Sequence, residues 1–136
     1  MKIAYIFRGL PGSGKSSVAA GLTSPDNIFS TDKFFLDSDG VYRFDRTKLV
    51  KNHAKNQKHF REACEAGDFP LVVDNTNMQR WEMEPYIQAA EENGYKVIEV
   101  IIEEPSNPKH QEECAARNTH GVSLEIIQKM AARFER

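Results

Sequence analysis

Long apolar runs are missing from this chain of 136 residues, and so is any excess of charge of one sign. No stretch of 18 apolar residues occurs. The short run Ile3–Phe7 is closed by Arg8, with no small-residue cleavage site behind it. The expectation is a protein that is neither secreted nor membrane-spanning, and therefore cytoplasmic. Lys and Arg number 18 against 20 Asp and Glu, a net charge of −2. That excludes a general basic coat for nucleic acid and leaves room for a local patch. Cysteine is scarce as well: Cys64 and Cys114 alone, with no C-x-x-C pair, which excludes a disulfide scaffold or a zinc finger and fits a reducing compartment. Internal repeats, low-complexity tracts and Gly/Ser linkers are absent, so residues 1–136 read as one domain.

What is present is an alternation of apolar runs and helical patterns. Ile3–Phe7 is continuous, apolar and too short for a helix, as expected of a strand buried on both faces. Lys15–Leu22 follows as a short helix that Ser24-Pro25 ends, and Asn27–Ser30 is a weaker strand. Asp39-Gly40 between apolar flanks predicts a hairpin over Phe34–Phe44. Asp45 is placed to cap a helix reaching Cys64 or Ala66, which Gly67 ends. Pro70–Asp74 reads as a second buried strand. A helix then runs to Asn93-Gly94, with Pro85 as a kink or restart. Tyr95–Ile102 is a third strong strand, Lys109–Asn118 a helix, and Ser123 caps a last helix to Phe134. Such alternation implies an α/β fold in three layers around a short, mostly parallel sheet of about four strands.

The chemistry-bearing motif stands between the first strand and the first helix. Gly9-Leu10-Pro11-Gly12-Ser13-Gly14-Lys15-Ser16 satisfies every fixed position of the phosphate loop G-x-x-x-x-G-K-[ST]. Glycines let the backbone wrap around phosphates, and the helix N-terminus adds partial positive charge there. Lys15 supplies a point charge and the Ser16 hydroxyl a magnesium ligand. Gly9, Pro11, Gly12, Ser13, Gly14, Lys15, Ser16 and Ser17 are the expected nucleotide-binding residues, with ATP and Mg²⁺ as cofactors.

Two carboxylates join this loop. Asp74 closes an apolar strand at the end where α/β folds place ligands, the position of a Walker B aspartate; the plainer reading is a turn cap shared with Asn75, Thr76 and Asn77. Asp32, after the second strand, is placed to take a proton from an attacking hydroxyl, or else caps a turn. Arg117 stands near the C-terminus beside His120 and Gly121, as a mobile donor over the phosphates or an ordinary surface arginine.

Charge is segregated. Arg43–Arg61 carries seven Lys or Arg against Asp45 alone, a net +6, with Phe34, Phe35, Tyr42 and Phe44 nearby. That suits the end of a single-stranded nucleic acid, or is a solvated face balancing the nine Glu of Glu82–Glu113. On the same helix His53 and Asn56 share a stripe with Leu49, Phe60 and Ala63, where polar groups need partners or a cleft.

Taken together, Gly9–Ser16, Ser30-Thr31-Asp32-Lys33-Phe34-Phe35, Asp74-Asn75-Thr76-Asn77 with Trp81-Glu82-Met83, and Arg117-Asn118-Thr119-His120-Gly121-Val122 resemble the kinase domain of polynucleotide 5′-hydroxyl kinases. The chain is most similar to the small kinase-like domain of ubiquitin-ligase-binding proteins in that group. The resemblance implies a P-loop NTPase fold and makes Asp32 the residue that engages the acceptor hydroxyl. Lys15 and Ser16 become the phosphate and magnesium residues, and Arg117 the lid arginine. Asp74, Thr76 and Asn77 then shape the acceptor and metal side. Phage-type members carry an arginine just after the acceptor aspartate, where this chain has Phe34 and Phe35, and the fifth strand usual in such kinases has no counterpart before Arg136. Two other readings stay open on the same residues: a small-molecule or nucleoside kinase, and an ATP-binding switch without transfer.

Overall fold

The fold is described from a computed structural model covering all 136 residues. Four strands, β1 (Ile3–Arg8), β2 (Ile28–Phe29), β3 (Leu71–Asp74) and β4 (Lys96–Ile101), form one parallel sheet in the order β2-β3-β1-β4. Five helices accompany them: α1 (Lys15–Leu22), α2 (Leu49–Ala66), α3 (Arg80–Glu92), α4 (Pro108–Arg117) and α5 (Leu124–Ala132). The expected three-layer α/β architecture is what forms.

Period-two alternation divides the strands between two unequal cores. Ala4 and Ile6 of β1 with Leu71 and Val73 of β3 face α2 and α3, joining Phe60, Ala63, Cys64, Met83, Tyr86 and Ala90 in the main core. Phe7 and Val72 face the other way, against Ala19 of the short α1. A third cluster, Leu10, Met78, Cys114 and Ile127, seats α4 and α5 beside the carboxyl end of the sheet. Pairing Phe7 with Asp74 and Phe29 with Val73 brings three strand ends level. The chain leaves β1 for β2 and leaves β3 for β4, so its crossovers diverge between β1 and β3. A crevice opens at such a point.

Most element boundaries lie within two residues of those expected. Asp45 caps the helical entry as foreseen, its carboxylate accepting from the Thr47 amide, but the first turn is a tight 3₁₀ turn and α2 proper starts at Leu49. Pro85 neither breaks nor restarts α3, which runs unbroken from Arg80 to Glu92.

The hairpin over Phe34–Phe44 forms only next to its turn. Thr31–Phe35 is a 3₁₀ turn, and the arms meet at one antiparallel bridge, Leu36 to Tyr42, and at the Arg43–Asp37 ion pair of 2.7 Å. The Asp39-Gly40 turn is present, closed by Asp37 accepting from the Asp39 and Val41 amides at 2.9 Å each. Its aromatic flanks divide: Phe35 packs across the arms on Tyr42 and Phe44, and Phe34 packs on His59 of α2. At Phe34 side-chain packing won over a ladder.

The phosphate loop is held against α4. A Cβ on Gly12 would stand 2.6 Å from the Cys114 carbonyl oxygen and 3.0 Å from the Asn118 nitrogen, and Gly12 has φ +83. Gly14, with φ +99, faces open space. Gly12→Ala is therefore expected to destabilise the protein by about 2–4 kcal/mol, through left-handed strain and overpacking together. Gly14→Ala should lose only about 1–2 kcal/mol, from strain alone. Urea unfolding of both variants measures the difference, and equal losses would contradict this packing.

Candidate active site

The crevice between β1 and β3 is built from backbone first. Gly9 donates its amide to the Thr76 carbonyl at 3.0 Å, tying the phosphate loop to the turn that follows β3. Asn77 adds a second tie, its side-chain amide donating to the Phe7 carbonyl at 2.8 Å from a left-handed backbone with φ 46. The buried Arg8 guanidinium donates to the carbonyls of Asn77, at 2.9 Å, and of Met78 and Glu135. These bonds satisfy the carbonyls of an irregular segment that water does not reach.

Within the loop, one side chain supplies the positive charge. Lys15 is buried, and its ammonium donates to the Gly9 and Leu10 carbonyls at 2.9 Å each. Burial pushes its pKa down, opposed by the charges of Asp74 and Asp32. Ser16 donates its hydroxyl to Asp74 Oδ2 at 2.9 Å. Asp74 is buried too, and desolvation raises its pKa despite the Ser16 hydrogen bond and the Lys15 charge. Ser13 Oγ is buried with no partner at all. An orphaned hydroxyl, a folded-back ammonium and left-handed glycines at 12 and 14 fit a polyphosphate, which would supply the missing partners. No cluster of three His, Cys, Asp or Glu side chains gathers anywhere in the chain. A divalent ion here would therefore rest on Ser16 and Asp74, with phosphate and water completing its shell, as magnesium tolerates.

Asp32 faces this cradle from the 3₁₀ turn after β2. It shares a cavity of about 310 Å³ with Ser16, Ser30, Lys33, Asp74 and His120. Its carboxylate is half exposed and lies 3.4 Å from His120 Nδ1. The His120 ring stacks on Tyr42, centroids 3.9 Å apart and planes within 12°. Burial, the Asp32 charge and a hydrogen bond to Asp32 push the Tyr42 phenol up to about 12. Sequence reasoning placed His120 only as a neighbour of Arg117 and Tyr42 only as a hairpin aromatic. The signal was the pair of polar aromatics flanking flexible turns, but no spacing rule joins residues 78 positions apart.

The family profile described as AAA domain matches residues 5–136. The chain belongs to that family. It is 41% identical over 143 residues to NEDD4-binding protein 2 of Homo sapiens, covering 98% of this chain and 8% of that protein. It thus spans under a tenth of that relative's length. The solved gluconokinase from Sinorhizobium meliloti 1021 superposes with a TM-score of 0.61 at 16% identity, over 98% of this chain and 75% of that one. An APS kinase from Mycobacterium tuberculosis gives 0.51 at 16%, over 97% and 96%. These two share the fold, and the kinase-like resemblance read from the motifs is borne out.

In this AAA domain chain the remaining candidates are distributed as follows. Thr76 and Asn77 line a second cleft between α2 and α3, and not the cavity that holds Asp32. Pro11 is half-buried and Ser17 is exposed on α1. Arg117 is exposed at the last turn of α4, outside both cavities. The basic residues of α2 (Lys51, Lys55, Lys58, Arg61) all point to solvent, and Lys55 Nζ lies 5.9 Å over the Phe34 ring. The polar stripe of α2 is explained: Asn56 donates to the Tyr86 hydroxyl at 2.9 Å, and His53 Nδ1 meets Thr31 Oγ1 at 3.1 Å.

The raised pKa of Asp74 has a sign that can be measured. Its ionised form is disfavoured by folding, so its contribution to stability is lost as pH rises from the ordinary carboxylate range through the folded pKa. Asp74→Asn should gain on the parent protein as pH rises above about 4 without nucleotide present. Urea midpoints across that range provide the check, and a difference that stays flat with pH would contradict the desolvation argument.

Proposed function

We propose that residues 1–136 act as one kinase domain that moves the terminal phosphate of Mg·ATP onto a hydroxyl, the 5′-hydroxyl of a single-stranded polynucleotide. One observation carries this reading: Ser16 and Asp74 line the cavity that also holds Asp32, and the buried Lys15 ammonium feels the charge of both carboxylates. ATP supplies the phosphoryl group, and magnesium neutralises its charge when bound.

Lys15 exchanges the Gly9 and Leu10 carbonyls for phosphate oxygens. Ser13 donates its unpartnered hydroxyl to the same group. Ser16 and Asp74 would hold the ion. Asp32 orients the acceptor oxygen and takes its proton as that oxygen bonds to phosphorus and the bridging oxygen of the donor leaves. His120 and Tyr42 hold the Asp32 carboxylate in place. Arg117, in the last turn of α4, is the lid arginine. The polynucleotide is favoured by the exposed lysine stripe of α2, which runs past Phe34, two residues from Asp32.

Phosphorylation of a 5′-hydroxyl oligonucleotide with labelled ATP tests this. Asp32→Asn should lower turnover by at least about 10²-fold while ATP affinity is unchanged. Reversing Lys51, Lys55 and Lys58 to Glu should raise the KM for the strand and leave that for ATP. Strand affinity should fall with salt at a log–log slope of about −2 for three phosphates neutralised. Transfer to a small alcohol, indifferent to salt and to charge reversal, would replace the acceptor by a small molecule. ATP binding without transfer to either would leave a switch module.

A further inference from the structure

The second cleft lies on the opposite side of Thr31 and Asn75 from the Asp32 cavity. It measures about 290 Å³ and runs between α2 and α3. That is the lower end of the range for small-ligand sites. Its apolar lining comes from both helices, Val50 and Ala54 of α2 and Trp81 and Pro85 of α3. Its polar lining is His53 and Gln57 of α2, Asn75, Thr76 and Asn77 after β3, and the Glu82 carboxylate of α3. Trp81 is 67% exposed and Val50 84% exposed, an unusual amount of apolar surface beside polar groups.

The walls are fixed before anything binds. The Trp81 indole donates its Nε1 hydrogen to Gln79 Oε1 at 3.2 Å, which holds the ring by its edge. Asn75 accepts from the Thr31 amide at 2.9 Å, and His53 is tied through Nδ1 to Thr31 Oγ1. The second imidazole nitrogen and the Gln57 amide remain as the cleft's adjustable polar edges.

Charge stands beside this cleft in register. Val50, Ala54 and Gln57 line it, and the residues directly after them are Lys51, Lys55 and Lys58, all exposed. Two stripes with the same i, i+4, i+7 spacing therefore run side by side along α2, one facing the cleft and one facing solvent. A ligand with a flat ring on one side and repeated negative charge on the other matches both. The cleft also begins one residue from each carboxylate of the active site, at Asn75 after Asp74 and through Thr31 before Asp32.

We propose that the α2–α3 cleft is a nucleobase subsite for the acceptor strand, with the Trp81 indole stacking on a base within the strand's first two nucleotides. The proposal rests on the polynucleotide reading above and names where that substrate is held. Lys51, Lys55 and Lys58 follow the backbone while the base enters the cleft, a division of labour common in single-strand recognition. His53 and Gln57 touch the base edge.

Trp81 is the only tryptophan in the chain, so its emission reports on the cleft alone. The test titrates the whole protein with a 5′-hydroxyl single strand and with a matching strand whose first two nucleotides lack bases. Emission and fluorescence anisotropy of a 3′ label are recorded together, and phosphorylation is followed separately. The intact strand should quench Trp81, and the base-free strand should bind about 5- to 100-fold more weakly without quenching, the range of one base–aromatic stack. Trp81→Leu, at an exposed position, should weaken the intact strand by a similar factor and erase the difference between the two strands.

Phosphorylation with no quenching and equal binding of both strands overturns the subsite and leaves the kinase reading standing; the exposed indole then belongs to a protein partner. Quenching without phosphorylation supports the subsite and overturns the kinase reading. Absence of both overturns the two together.

Discussion

Parallel pairing of β1 with β3 forces two opposite charges, Lys15 and Asp74, out of water at one point, and the rest of the site follows from that. Neither charge is satisfied by the other alone. Lys15 borrows two loop carbonyls, and Asp74 borrows the Ser16 hydroxyl. Burial moves the two pKa values in opposite directions, down for the ammonium and up for the carboxyl, because both charged forms have lost hydration. A fold selected for stability alone would put a hydrophobic pair there. Retaining the ions, with Ser13 unpartnered beside them, makes sense for a cradle completed by a ligand of phosphate and metal chemistry.

The second consequence is that the polar groups of α2 belong to the site. Asn56 and His53 sit where an amphipathic helix normally carries leucine. They bond Tyr86 and Thr31, which in turn bond Asn75 or stand next to Asp32. This network is the partition between the Asp32 cavity and the α2–α3 cleft. It holds Thr31 and Asn75 from both sides, so the two compartments have a common rigid wall. The opposing exposed face of α2 is left to lysines.

Much of this was legible in the residues. The phosphate loop, the end of β3 at Asp74 and the helix caps at Asp45 and Ser123 follow local rules of spacing, and local rules transfer well to structure. Asp39-Gly40 marked the turn of Phe34–Phe44 but not the length of its arms, because Phe34 leaves the ladder to pack on His59 of α2. The Asp32–His120–Tyr42 arrangement was illegible for another reason: it joins a turn after β2, a loop and the α4–α5 connection, which only the finished fold brings together. The stripe carrying His53 and Asn56 was visible as an anomaly, and its partners were not.

The most direct test of the central claim is calorimetric titration of ATP into the protein with and without magnesium. Heat of binding should appear with magnesium, weaken in its absence, and weaken by roughly 10- to 150-fold in Lys15→Ala, the scale of a lost charge-assisted contact. An affinity unchanged by that substitution would show that the buried ammonium is structural and that the phosphates lie elsewhere.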